Sequence, residues 1–283
     1  MKEKKVAFVT GASSGIGLDT AMKLTEKGFT VYGAARRTVL MEPLLKKGGK
    51  TMFLDLTDAE SVRKCVQEVI ETEGRIDVLI NNSGYGLGGG IENVSIEDAK
   101  RQFDVNVFGL AEITRLFLPY MRAQHSGTII NISSMAGRFS SPFLGWYHAS
   151  KYAVEALSDS LRMELRPFGI NVVIIEPGLI KTDWGVITAQ SIRKQSGETE
   201  YAQNASSAAE YYEKHYCLEN SSASNPDVVS KTIVRAACKK HPRSRYLTGK
   251  NAVLFVLAKK TLPDKIYDAI TCLIMGQKKI KER

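Results

Sequence analysis

Val6-Ala7-Phe8-Val9-Thr10-Gly11-Ala12-Ser13-Ser14-Gly15-Ile16-Gly17 is the stretch on which the fold turns. Val6 to Thr10 read as a short buried strand, and helical spacing begins near residue 15. Between them lie glycines at 11 and 15, with a third at 17. Strand, glycine turn and helix in that order make a cradle for a phosphate. Glycine lets the backbone turn tightly and come close to the anion, which then sits at the positive end of the helix. The spacing is GxxxGxG rather than the commoner GxGxxG. Three glycines mean little out of context; directly after a first strand they are specific.

The rest of the chain supplies that context. Strand candidates rich in Val and Ile fall at 5–10, 29–35, 50–54, 76–81, 127–132 and 170–176, and amphipathic helical segments lie near 15–27, 58–73, 96–124 and 146–167. Buried strands alternating with helices give βαβ units and a parallel sheet. Thr57-x-x-Glu60 and Ser95-x-x-Asp98 read as capping boxes, Asn225-Pro226 as a helix start, and Gly169 as a helix stop. The expected fold is a doubly wound, Rossmann-type parallel sheet flanked by helices, in one domain with a C-terminal helical elaboration. The catalytic unit would span 1–250, with a polar segment at 183–224 as a substrate lid and 251–283 as a basic amphipathic extension.

Composition narrows the class. With 283 residues, 43% hydrophobic and 24% charged, the chain has the balance of a soluble globular protein. Lys2 to Lys5 run straight into the first strand, which leaves no room there for a targeting peptide, and no apolar run reaches the ~20 residues that span a bilayer. Cys65, Cys217, Cys238 and Cys272 are scattered without metal-ligand spacing, so a cytoplasmic setting and no metal are expected. The net charge of +9 belongs wholly to residues 239–283, with twelve Lys/Arg against three acids. It therefore says little about the phosphate chemistry of the core, and without a motif it gives no ground for nucleic-acid binding.

The end of the second strand selects the cofactor. An acid there would bind a ribose 2′-hydroxyl and repel a 2′-phosphate; arginine does the reverse. Ala34-Ala35-Arg36-Arg37 carries no acid. NADP(H) is expected, with Arg36 as the main 2′-phosphate ligand and Arg37 assisting, and with Gly11, Ser13, Ser14, Gly15, Ile16 and Gly17 forming the diphosphate loop.

Tyr147 and Lys151 stand one helical turn apart, thirteen residues or more after Ser134. A phenol, an ammonium, a hydroxyl and a dinucleotide cradle are the parts of a hydride-transfer site. The phenol has a free pKa of ~10, too high for easy proton exchange at neutral pH. An ammonium at ~4 Å is worth about 4 kcal/mol at an effective dielectric of ~20, so Lys151 is expected to lower it, with burial opposing part of the effect. Ser134 would donate to the substrate carbonyl oxygen as charge develops there.

With Gly11-x-x-x-Gly15-x-Gly17, Asn81-Asn82-Ser83-Gly84, Asn106, Ser134 and Tyr147-x-x-x-Lys151 in order, the chain resembles the short-chain dehydrogenase/reductase family. The likeness runs through roughly 4–182 and continues more loosely to about 250. Ser83 stands where the family usually has alanine. Ala34-Ala35-Arg36-Arg37 and Val105-Asn106-Val107-Phe108-Gly109 look most like the hydroxysteroid and retinol dehydrogenase branch. The resemblance implies that Asn106 holds a water linking Lys151 to solvent, and that Lys151 also holds the nicotinamide ribose. It implies cofactor contacts from Asp55, Leu56, Asn82, Gly84, Pro177, Gly178, Ile180 and Thr182. It also implies a dimer or tetramer built through the long central helices.

Gly84 to Gly90 reads as a flexible loop at the mouth of the site, and Phe139, Phe143, Trp146 and Trp184 suggest an apolar wall. His148 lies beside Tyr147 but faces elsewhere on a helix, and takes no catalytic role. A lipophilic ketone or aldehyde and its alcohol are the expected substrate pair, bound by Ser134 and Tyr147. The basic tail would either lie on an anionic membrane or pack on the core or a partner subunit. Two rival readings are a non-catalytic NADP(H)-binding sensor, which would have no need of the proton-handling residues, and a nucleotide-sugar epimerase. The glycine spacing and the small C-terminal region count against the epimerase.

Overall fold

A computed structural model describes residues 4–216 and 223–279. Its centre is a parallel sheet of seven strands among the described residues: β1 Val6–Thr10, β2 Thr30–Ala35, β3 Lys50–Phe53, β4 Val78–Asn81, β5 Gly127–Ile132, β6 Ile170–Pro177 and β7 Arg245–Thr248. The order across the sheet is β3-β2-β1-β4-β5-β6-β7. Chain direction across the sheet reverses between β1 and β4, and a ligand crevice forms at that switch, beyond the carboxyl ends of the strands.

Alternation along β1 shows how the layers are made, since successive strand side chains point to opposite faces. Ala7 and Val9 pack with Ala21 and Leu24 of α1 (Gly15–Glu26) and with Val229 and Ile233 of α9 (Pro226–Cys238). Val6 and Phe8 turn the other way, onto Val62, Val66 and Val69 of α3 (Ala59–Glu73) and Ile113 and Phe117 of α5 (Leu110–Ala123). All five β1 residues are buried, which is why the strand reads as a continuous apolar run rather than an alternating one.

Several boundaries differ from the sequence reading. Asp58, not Thr57, caps α3, its carboxylate accepting from the Glu60 amide at 2.9 Å. The single helix expected at 96–124 is three pieces: α4 (Ile96–Phe103), a π-turn at Asp104–Gly109, and α5. Ser95 caps α4 and Gly169 (φ +70°) ends the run after α6 (Gly145–Leu165), both as expected. A short helix, α2 (Glu42–Lys46), follows β2.

The segment expected as a lid folds into α7 (Trp184–Ser196) and α8 (Ala202–Tyr216); Cys217 lies outside the described residues. Beyond the last strand come α10 (Ala252–Thr261) and α11 (Asp264–Ile274), separated at Leu262-Pro263. Among the described residues, no helix is long and apolar enough to cross a membrane.

Candidate active site

The side chains of Thr10 in β1 and of Asn82, just after β4, fix the phosphate loop. Thr10 Oγ1 accepts from the amides of Asn82 and Ser83, both at 3.0 Å, and Asn82 Nδ2 donates to the Thr10 and Gly11 carbonyls at 3.1 and 3.3 Å. Gly11 and Gly15 have φ of +66° and +54°, the left-handed region that side chains resist. Gly17 has another reason to be glycine. A Cβ there would stand 2.3 Å from the Gly11 carbonyl oxygen and 2.5 Å from Asn82 Nδ2. It packs helix α1 on the loop, just behind the cavity wall. Ser14 precedes α1 without capping it, so the first-turn amides keep the loop suited to an anion.

One cavity of about 1010 Å³ runs from this loop to the C-terminal helices. All the expected cofactor contacts except Gly17 line it, together with Ser134. Arg36 stands exposed at its rim, and Arg37 Nη2 reaches Ser13 Oγ at 3.4 Å, so two guanidinium groups bracket the mouth beside the loop. Burial tends to raise Asp55, but the Thr57 amide and hydroxyl and the Arg36 charge together hold it below its ordinary value.

Tyr147, Lys151 and Ser134 converge near the middle of the cavity. Ser134 begins the turn after β5, its Oγ accepting from the Ala136 amide at 3.1 Å and bonded to Tyr147. Lys151 donates to the Ile132 carbonyl at 2.8 Å, and its ammonium lies 5.9 Å from the centre of the Tyr147 ring. Burial pushes the Tyr147 phenol up to about 12, with Ser134 opposing, and pulls Lys151 down to about 8, with Glu155 opposing. In the protein alone burial decides the Tyr147 pKa, and the lowering expected from Lys151 is not seen. At neutral pH both groups hold their protons, which is the state needed to protonate a carbonyl oxygen.

Asn106 lies just behind the cavity wall, where a Cβ on Gly84 would stand 3.2 Å from its Oδ1 and 3.5 Å from Lys151 Nζ. It sits in the π-turn, a break in helical bonding that often marks a functional site. Its Oδ1 accepts from the Tyr85 amide at 3.1 Å, and its Nδ2 donates to the Tyr85 carbonyl and to Ser150 Oγ at 3.0 and 3.1 Å. Ser150 in turn donates to the Tyr147 carbonyl at 2.7 Å. The side chain thus ties the loop after β4 to the helix that carries the phenol.

That loop is not loose. The Gly88 and Gly90 amides donate to Ser191 and Ser196 of α7 at 3.1 and 2.8 Å, and Gly86 lies so near Trp184 that a Cβ would stand 2.7 Å from the indole. These glycines serve close approach to α7 rather than flexibility.

The far half of the cavity is aromatic. Phe139 and Trp184 line it as expected; Phe143 packs on Tyr201, and Trp146 turns away onto Phe103. Tyr211, Tyr212 and Tyr216 of α8 and Phe255 and Tyr267 of the last helices complete the wall, and only their distance in sequence hid them. His148 also lines it. Its Nδ1 faces the Ala136 carbonyl at 2.8 Å and its Nε2 the Ser141 amide at 3.1 Å, so the ring is neutral with its proton on Nδ1. Burial holds its pKa down at about 4. Behind the site, buried Glu176 accepts from Arg138 at 3.1 Å, and Glu155 from Arg245 at 3.1 Å.

A family pattern described as short chain dehydrogenase matches residues 5–192. The chain belongs to the short-chain dehydrogenase/reductase family. It is 36% identical over 275 residues to a probable short-chain type dehydrogenase/reductase of Helicobacter pylori, covering 97% of this chain and 99% of that one. It is 36% identical over 266 residues to a 3-ketodihydrosphingosine reductase of Bacteroides thetaiotaomicron, with 93% and 95% covered. An NADPH-dependent 3-dehydrocapnine reductase of Ornithobacterium rhinotracheale is 34% identical over 276 residues, with 94% and 95% covered. The crystal structure of a short-chain dehydrogenase from Streptomyces avermitilis superposes with a TM-score of 0.76 at 30% identity, over 96% of each chain. The chain is accordingly an oxidoreductase of a family that uses a nicotinamide cofactor.

Proposed function

We propose that this oxidoreductase uses NADPH to reduce the carbonyl of a lipophilic, chain-like ketone to the secondary alcohol. The observation that carries the proposal is the position of Tyr147, at the junction of an arginine-rimmed glycine groove and an aromatic pocket in one cavity. A volume of about 1010 Å³ is at the top of the range for a single ligand site, roughly 300–1,000 Å³, and suits two ligands meeting end to end.

Bound NADPH would supply the hydride to the carbonyl carbon. Tyr147 gives the proton to the carbonyl oxygen, and Ser134 holds that oxygen while charge grows on it. Lys151 keeps a positive charge beside the phenol as the proton leaves. Arg36, with Arg37, binds the 2′-phosphate, a charge-assisted contact that NADH cannot make. Asn106 acts through Tyr85 and Ser150 to hold the phenol's helix against the loop. Two relatives are named as reductases of 3-ketodihydrosphingosine and of 3-dehydrocapnine, which turns the reading toward long-chain ketones.

The test is NADPH consumption with ketones of increasing chain length, with Tyr147→Phe as control. Turnover that rises with chain length and vanishes in Tyr147→Phe is expected. Tight NADPH binding with every ketone inert would sink the proposal and favour a sensor on the same fold.

A further inference from the structure

The last two helices have two unlike faces. Phe255, Tyr267, Thr271 and Met275 look into the cavity. On the other side Val253, Leu254, Leu257, Ile266, Ile270 and Leu273 stand between 42% and 79% exposed. Ile274 belongs to both, lining the cavity while 48% exposed, so the cavity opens onto the apolar face. Ile187 of the lid, 52% exposed, lines the same cavity. Scattered exposed apolar residues need no explanation, but a dense group at a ligand entrance marks a contact surface.

Charge identifies what it contacts. Lys260, Lys265, Lys278 and Lys279 are exposed around these helices, and Lys259 is paired with Asp264. Residues 252–279 hold five lysines against two aspartates, within a stretch, 239–283, that carries the whole net charge of the protein. In a two-fold contact between copies the same patch meets itself, which would set one basic tail against another. Short helices with exposed apolar and lysine side chains match the requirements of an anionic lipid interface, where each lysine near the surface contributes about 1 kcal/mol.

We propose that α10 and α11 lie flat on an anionic membrane and open the cavity directly to it. Resting on the ketone reading above, the proposal gives the substrate a route from the acyl layer to Tyr147 without passing through water. The helices, too short to span a bilayer, would bury only their outer faces.

The experiment measures sedimentation of the full chain with phosphatidylcholine vesicles and with vesicles that also contain phosphatidylglycerol. The variants are Leu254→Asp/Leu273→Asp and Lys260→Glu/Lys265→Glu. The wild type should bind the anionic vesicles in a salt-sensitive way. The leucine variant should lose binding, and the lysine variant should bind at least about tenfold more weakly. Both should keep wild-type turnover of a short water-soluble ketone, which shows that they fold.

A wild type that ignores anionic vesicles, or variants that bind as well as it does, overturns the proposal. A wild type that ignores vesicles but falls to a smaller oligomer in the leucine variant overturns it in favour of a contact between copies. Vesicle binding that follows the expected pattern while every ketone stays inert supports the docking surface and sinks only the ketone reading.

Discussion

The two ends of the cavity are built of different material. At the phosphate end the wall is backbone: glycines at positive φ, carbonyls held by Asn82, and the open first turn of α1. At the substrate end the wall is side chains, with Trp184 5.1 Å from Tyr147 and from Tyr216 between ring centres and 6.0 Å from Tyr212. A backbone wall fits one shape of ligand and is spoiled by a single methyl group. An aromatic wall can change its occupant by exchanging rings while the chain path stays as it is. Tyr147 works where the two meet.

Removing the junction should cost most. Tyr147→Phe deletes the proton donor and should lower kcat about 10³-fold while leaving NADPH affinity within about twofold. A loss below tenfold would mean that the proton comes from elsewhere. Next, Arg36→Asp tests whether the phosphate end reads charge as well as shape. It should move the NADPH-to-NADH preference by about 30-fold, the worth of about 2 kcal/mol for a hydrogen bond between charged groups. An unchanged ratio would remove Arg36 from the cofactor site.

A paired substitution then compares the two ends directly. Gly17→Ala should weaken NADPH binding about tenfold or more, because its methyl would meet the Gly11 carbonyl. Trp184→Phe should leave NADPH binding alone and change kcat/KM for long ketones by about tenfold. If both variants altered the same parameter, the division between the ends would be wrong.

The smallest expected effect is on stability against pH. His148 in the wall has its pKa lowered to about 4, so the unfolded chain binds more protons between pH 6.5 and 4. Its contribution is complete above pH 6.5 and is lost as pH falls. Glu176, raised to about 7 by burial and by Glu155, acts in the opposite sense and lowers stability as pH climbs from 4.5 to 7. Over the shared window the two largely cancel. Melting temperatures should therefore slope in opposite directions with pH in His148→Asn and Glu176→Gln; parallel curves in both would show that neither group controls the window.

How much was legible follows the same division. The phosphate loop and the Tyr147–Lys151 pair are contiguous in sequence, and strand-helix alternation carries the sheet. Asn106 was placed in a helix, but its hydrogen bonds to Tyr85 and Ser150 join segments far apart in sequence and could not be read from it. A π-turn inserts a bulge without breaking the amphipathic pattern, so 96–124 reads as one helix. The aromatic wall was half misread for a geometric reason. Trp146 adjoins Tyr147 in sequence but is rotated about 100° from it on the helix and lands on Phe103. The tyrosines of α8 sit more than sixty residues on and reach Tyr147 only through tertiary packing. Asp58 displaced Thr57 as a cap in line with the stronger N-cap preference of Asp over Thr, which the Thr57-x-x-Glu60 spacing had overridden.

The chain order of the wall also sets a timetable. The phosphate loop, Arg36 and Ser134–Lys151 all precede Trp184, whereas the aromatic half is completed by Tyr267 and Met275. At ~5–20 residues per second of synthesis, α7 through α11 take roughly 5 to 20 s to follow Thr182. All the residues expected to hold the dinucleotide are thus synthesised before the first aromatic of α7. A nascent chain ending after Thr182 should therefore hold every side chain expected at the cofactor while lacking most of the aromatic wall.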